Sequence, residues 1–310
     1  MSNYKKAGYL MFTLTILHIV VSSIIAMFGE LNATTGLIVN SLMITLLCIG
    51  VPAYLFIKTG KSGEKGEFYL TKPSLIQVVL AFVFGIIIFY ALAHLNTAFQ
   101  MLIELTGADL EKLGGLDLPN LQSPLNLVIA IITVAVIPAI AEELFYRSAL
   151  LYSWRSMKKT AVCLFTAFLF TLMHSSVLTF PSLFLLGYFL ASITYETKSI
   201  IPAMIIHFMN NFLSLLYSLN PTDSTIANAW EEITSHSIYG LVFLAAGIIA
   251  HIIIIKVARK ANNKVQTEPE TQAESDEKQE EKSNFPHIPI AISIGIYLVF
   301  AITAFKFLYS

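Results

Sequence analysis

The chain has 310 residues, 56% of them hydrophobic and 13% charged, with a formal net charge of -1 and a mean hydropathy of +0.72. Soluble domains carry roughly 25% charged residues, so this composition describes a protein whose solvent is largely lipid. It excludes nucleic acid as a partner, which needs Lys and Arg clustered on one face. It also excludes a disulfide framework, because the only cysteines, Cys48 and Cys163, sit inside apolar runs where a thiol packs as a small hydrophobe.

A membrane-spanning helix needs roughly 20 apolar residues. Runs of about that length predict an all-α, polytopic transmembrane helical bundle of eight to nine membrane helices. In chain order they fall near residues 8–28, 36–57, 74–95, 124–148, 160–179, 181–195, 200–219, 237–257 and 287–308. The first follows Lys5 and Lys6, lacks a small-residue cleavage site, and reads as a retained signal anchor. The sixth is short and begins beside Pro181, so it is expected to tilt little or to be partly re-entrant.

With the N-terminus placed inside, every Lys and Arg among the 19 falls in inner segments except Lys112 and Lys306. The outer segments carry Glu104, Asp109, Glu111, Asp117, Asp223, Glu231 and Glu232. This bias predicts a cytoplasmic N-terminus and an external C-terminus. The stretch from Ala261 to Pro286 is acid-rich and nearly free of large apolar side chains. It reads as a disordered cytoplasmic linker. The organisation expected is three accessory spans and an outer loop over 1–120, a catalytic core over 121–220, an eighth membrane helix over 221–260, the linker over 261–286 and a final membrane helix over 287–310.

Ionisable residues inside spans cost at least about 2.5–3.5 kcal/mol each on insertion scales, which makes them functional candidates. In IPAIAEELFYRSALL, Glu143 and Arg147 are four apart and share a helix face, so they are expected to pair. Glu142 points about 100° away and reads as the free carboxylate. Pro138, four residues earlier, frees a backbone carbonyl one turn above it. On the next span Phe170 and His174 share a face, and on the seventh His207 and Asn211 do. Counted at 1.5 Å per residue from the inner boundary, Glu142 lies at roughly 12 Å, His174 at roughly 20 Å, and His207 to Asn211 at roughly 10–17 Å. The polar groups therefore share a depth. His94, His236 and His287 fall at span ends or in loops, and His18 and His251 have no polar partner at helical spacing.

An acid, two imidazoles and an amide at one depth admit two mechanisms. In one, Glu142 with His174 activates water while His207 and Asn211 stabilise an oxyanion. In the other, Glu142, His174 and His207 bind Zn²⁺, so the cofactor is either none or zinc. H-E-x-x-H is absent, and GKSG at Gly60–Gly63 lies in a Lys-rich loop where a serine nucleophile would face water.

Glu142-Glu143-x-x-x-Arg147, Phe170-x-x-x-His174 and His207-x-x-x-Asn211, in that order, resemble the three motifs of the CAAX prenyl protease type II and bacteriocin-processing family, also called CPBP or Abi proteins. The resemblance covers roughly residues 120–220. It implies a polytopic intramembrane endopeptidase, glutamate-dependent or metal-dependent, with Glu142, His174, His207 and Asn211 as the catalytic set and Glu143, Arg147 and Phe170 in support. It implies a peptide or membrane-protein substrate within the bilayer and, among bacterial members, signalling or cell-wall partners. Short hydrophilic loops point to a bacterial cell membrane. The competing readings are a non-catalytic scaffold, immunity or regulatory protein, and a proton-coupled transporter, although no paired halves with matched broken helices are visible.

Overall fold

A computed structural model describes residues 3–29, 31–60, 67–110, 117–219, 229–263 and 286–309. Most of the acidic linker and the GKSG string beyond Gly60 lie outside the described residues. Among the described residues there is no strand, only an isolated bridge between Leu70 and Ser199. The chain forms helical rods α1 (Asn3–Met27), α2 (Ala33–Gly60), α3 (Leu75–Glu104), α4 (Pro124–Leu151), α5 (Lys159–Met173), α6 (Phe180–Thr197), α7 (Ile201–Tyr217), α8 (Ala229–Asn263) and α9 (His287–Phe307).

Local chemistry sets the helix starts. Asn32 Oδ1 accepts from Thr35 N–H at 3.0 Å to open α2. Ser74 and Gln77 form a reciprocal capping box ahead of α3. Pro124, Pro181 and Pro202 occupy the first turns of α4, α6 and α7, where their missing N–H costs nothing. Inside α4, Pro138 lies in a short α-helical stretch, Ile137–Glu143. Wider five-residue turns flank it at Ile131–Val136 and Leu144–Leu151.

The helices α1, α2, α3, α4, α8 and α9 are long and apolar enough to cross a bilayer. Of the three site-bearing helices α5 and α7 are shorter, with 15 and 17 residues. The expected fifth span ran on to residue 179, but α5 stops at Met173. Ser175 then takes a left-handed φ of 50° and turns the chain toward Pro181. The expected short sixth span corresponds to α6, which is not among the helices long and apolar enough to cross and which ends at Lys198 in the left-handed conformation.

Side chains are sorted as lipid demands. Large apolar residues are exposed on the outward faces, among them Val79, Val83, Leu241, Ile249, Val299 and Ile302. Polar residues such as Thr166, Thr194, Ser293 and Arg147 are buried. One apolar core joins α1, α2, α4, α5 and α9, with Met11, Ile49, Phe145, Leu169 and Tyr297 among its members. A second joins α3, α6, α7 and α8 through Phe84, Leu190, Ile206 and Ile254. Small residues bring the rods together: a Cβ on Gly187 of α6 would stand 3.1 Å from Ala167 Cα and 3.2 Å from Phe170 Cδ1 of α5.

A strap of residues 67–72 is laced to the same ends of α4, α6 and α7. Ser148 Oγ donates to Phe68 O at 2.6 Å, Ile200 N–H to Tyr69 O at 2.9 Å, and Ser199 Oγ to Thr71 O at 2.7 Å. Phe68 and Tyr69 both hold left-handed φ, 55° and 56°, with their rings buried against Tyr152. That conformation is costly for aromatic residues. These hydrogen bonds and ring contacts hold it.

Candidate active site

The site lies where the two cores meet, between the middle of α4, the end of α5 and the first half of α7. Glu142 and Glu143 are both buried inside the bundle. Arg147 Nε stands 3.1 Å from Glu143 Oε2, and neither side chain is exposed. The contact lies off the hydrogen-bond axis, so charge holds it more than direction does. The guanidinium also donates from Nη2 to Gly187 O at 3.3 Å and lies 4.7 Å from the centre of the Phe170 ring.

The other oxygen of Glu143 carries a second task. Its Oε1 accepts from His207 Nδ1 at 2.9 Å, and a carboxylate can only accept there, so Nδ1 bears the proton. His174 is fixed the same way, its Nδ1 donating to Phe170 O at 2.9 Å. Phe170 also packs its ring against both imidazoles, 4.8 Å from His174 and 5.8 Å from His207 between centroids. Both imidazoles thus turn Nε2 toward the same place.

That place is Glu142. Its Oε2 lies 3.9 Å from His174 Nε2 and 3.9 Å from His207 Nε2, and it has no hydrogen-bond partner among the described residues. These gaps are too long for direct hydrogen bonds, yet a single oxygen bonded at about 2.8 Å to both sides spans up to about 4.6 Å. The side chains of Glu142 and His207 are 9% and 3% exposed, and that of His174 is 30% exposed, so His174 is the member that faces open space.

The same three atoms can be tested against zinc. Bonds of about 2.0–2.1 Å at tetrahedral angles would draw the ligand atoms to about 3.3 Å from one another. Glu142 Oε2 stands wider than that from both imidazoles, at 3.9 Å, and among the described residues no group of three His, Cys, Asp or Glu side chains is gathered closely enough to hold a metal ion. The set does not fit zinc as it stands, and no step below is routed through a metal.

Asn211 is less central than its motif suggests. Its Nδ2 donates to Val134 O at 3.1 Å, and its Oδ1 accepts from Asn210 at 3.3 Å. Val134 O is the carbonyl that Pro138, having no N–H, leaves without its usual i+4 donor. One N–H of Asn211 is therefore spent on bracing α7 against α4.

Sequence reading missed the bond from Glu143 to His207, the Gly187 carbonyl under Arg147 and the Val134 brace, all of which join residues on different helices. It also missed tertiary partners of the other histidines. His18 Nδ1 lies 3.4 Å from the Tyr297 hydroxyl, His251 Nε2 3.1 Å from Ser192 Oγ, and His94 Nδ1 2.8 Å from His236 Nδ1.

The fold and this cluster define a polytopic helical membrane protein in which one buried acid is faced by two oriented imidazoles. Residues 124–213 match a family model described as Rce1-like, type II CAAX prenyl endopeptidase. The match spans α4 to α7 and contains all three motifs, so the family resemblance read from them is met over the segment that carries it, and that family is one of proteases. No curated protein and no solved structure matches the chain.

Proposed function

We propose that the protein is an intramembrane endopeptidase that hydrolyses a peptide bond of a membrane-associated or peptide substrate by water activated between Glu142 and His174. The observation that carries this is the convergence of two Nδ1-pinned imidazoles on one partnerless carboxylate oxygen inside a lipid-facing bundle.

In this reading Glu142 takes a proton from the water as its oxygen bonds to the scissile carbonyl carbon, and returns that proton to the departing amine as the carbon–nitrogen bond breaks. His174, the more exposed imidazole, holds the water and meets the substrate. His207, held at Nδ1 by Glu143, presents Nε2 toward the developing oxyanion and stabilises it when a proton stands on that nitrogen, aided by the second N–H of Asn211. Glu143, Arg147 and Phe170 hold these groups in place. The positive-inside bias supports an N-in, C-out orientation.

The test compares the termini of membrane and secreted peptides, by mass spectrometry, from cells making wild type or Glu142→Gln at matched levels. Termini present with wild type and lost in the variant are expected. Identical peptide sets would remove the proteolytic reading in favour of a binding protein, and flux that follows a pH gradient would favour transport.

A further inference from the structure

At the end of the bundle crossed by the strap, two cations rest on aromatic rings instead of carboxylates. Lys198, in the turn between α6 and α7, holds Nζ 4.3 Å from the centre of the Tyr195 ring and 5.2 Å from that of Tyr69. Arg155, in the turn between α4 and α5, holds its guanidinium carbon 3.9 Å from the centre of the Tyr152 ring and donates from Nη1 to Tyr152 O at 2.9 Å. Tyr69 joins the two, its ring packed edge to face with Tyr152 and Tyr195, 5.2 and 6.2 Å between centroids. A ring face positions an ammonium while leaving its N–H donors unspent. Lys198 and Arg155 are within electrostatic reach of each other.

The carboxylate beside them is already engaged. Glu196 binds Lys159 at the start of α5 and, with both oxygens, Arg259 near the end of α8. Among the described residues neither Lys198 nor Arg155 has an ion pair. Burial lowers the pKa of Lys198 against the pull of Glu196, so this ammonium stands where a further counter-charge would favour it. Exposed aliphatic side chains lie next to it. Leu70 is bridged to Ser199, the residue after Lys198, and Ile201 opens α7 three residues on; they are 37% and 38% exposed. A free phosphate or an acidic peptide would use the cations and leave these two bare. A phospholipid uses both, its phosphate on the cations and its first methylenes on Leu70 and Ile201.

We infer that Lys198 and Arg155, framed by Tyr69, Tyr152 and Tyr195, form a site for the headgroup of an anionic phospholipid whose acyl chains lie against Leu70 and Ile201. The site stands apart from the endopeptidase reading and does not depend on it. A lipid held there ties the α4–α5 turn to the α6–α7 turn. It thereby braces the ends of α4 and α7, the helices that carry Glu142 and His207.

The experiment titrates purified full-length protein in detergent with dioleoyl phosphatidylglycerol or dioleoyl phosphatidylcholine, which share their acyl chains, and reads bound lipid by native mass spectrometry. One phosphatidylglycerol per chain is expected to bind more tightly than phosphatidylcholine. Lys198→Gln and Arg155→Gln should each weaken it about fivefold, the equivalent of about 1 kcal/mol for one basic residue at an anionic surface. Lys198→Arg should retain it, and Lys6→Gln, which removes an exposed cation of α1, should leave it unchanged. Folding of each variant is checked by protection of the buried Cys48 and Cys163 from a thiol reagent. Equal binding of the two lipids would overturn the site, and this comparison on wild type decides even where a variant fails to fold. Phosphatidylglycerol binding indifferent to both glutamine variants would overturn it as well. So would displacement of the lipid, at constant ionic strength, by millimolar inorganic phosphate or an oligoglutamate peptide, since the cations would then serve an anion without acyl chains.

Discussion

Arg147 and Glu143 offer a double-mutant cycle whose size follows from their burial. Both side chains are 0% exposed and 3.1 Å apart. Removing one partner strands the other as an uncompensated buried charge, at a cost of about 3–5 kcal/mol, whereas removing both together is often close to neutral. Arg147→Met and Glu143→Gln should each lower the unfolding temperature by about 6–20 °C, taking 2–4 °C per kcal/mol for a chain of this order of size. The double variant should recover most of that loss, which gives a coupling energy of a few kcal/mol. The protein carries its own reporters: Cys48 and Cys163 are free and buried at 2% and 0% exposure, so a thiol-reactive fluorophore in detergent labels them only as the bundle opens. Activity should part company with stability. The double variant keeps its fold but no longer offers a carboxylate to His207 Nδ1, and loss of such an orienting partner typically costs about 10–100-fold. An Arg147→Met protein that unfolds with wild type, or a double variant no more stable than the worse single one, would refute the argument.

Other expectations follow from exposure and close contact. Arg259 also pairs with a carboxylate, Glu196, at 2.7 Å, but its side chain is 61% exposed, so Arg259→Ala should cost under about 1 kcal/mol by the same thiol assay. Gly187→Val should destabilise by about 1–3 kcal/mol, since its side chain must displace Phe170 and Ala167; an unchanged unfolding temperature would mean that α5 and α6 are not so closely apposed. Purified wild type should hold far less than one zinc per chain by elemental analysis and lose no activity to a chelator. Stoichiometric zinc that His174→Ala releases would show that the three ligand atoms close to metal distance in the working protein.

Much of the bundle was legible because lipid imposes one rule, long apolar runs, that needs no tertiary information. Pairing within one helix was legible for the same reason: Glu143 and Arg147 are separated by one turn wherever that helix lies. Features made between helices were not. The bond from Glu143 to His207 joins residues 64 apart in the chain, so spacing gave Glu143 only its arginine. The strap of residues 67–72 has no apolar run and no motif, and its role depends on the Ser148 and Ser199 hydroxyls it meets. The apolar pattern also ran through the end of α5, because Val177 and Leu178 are as lipid-compatible in a turn as in a helix. Only the backbone at Ser175 shows that His174 stands at a helix terminus.

The terminus gives the cluster its asymmetry. His207 lies mid-helix, held by Glu143 and Phe170, and is nearly inaccessible. His174 is held by one backbone carbonyl at the last turn of α5 and keeps nearly a third of its side chain open. Along α4 the polar groups are matched in sequence, Arg147 to Glu143, Glu143 to His207, and Val134 O to Asn211. A merely structural network in lipid gains from satisfying every member, because each unmatched polar atom costs about 1–3 kcal/mol or more. Several buried atoms bear that cost, Arg147 Nη1 and Ser153 Oγ among them, so an unmatched oxygen is not by itself a sign of function. What sets Glu142 Oε2 apart is its place, 3.9 Å from the Nε2 atoms of two imidazoles, where water can be bonded by an acid and an imidazole at once, as a hydrolase requires.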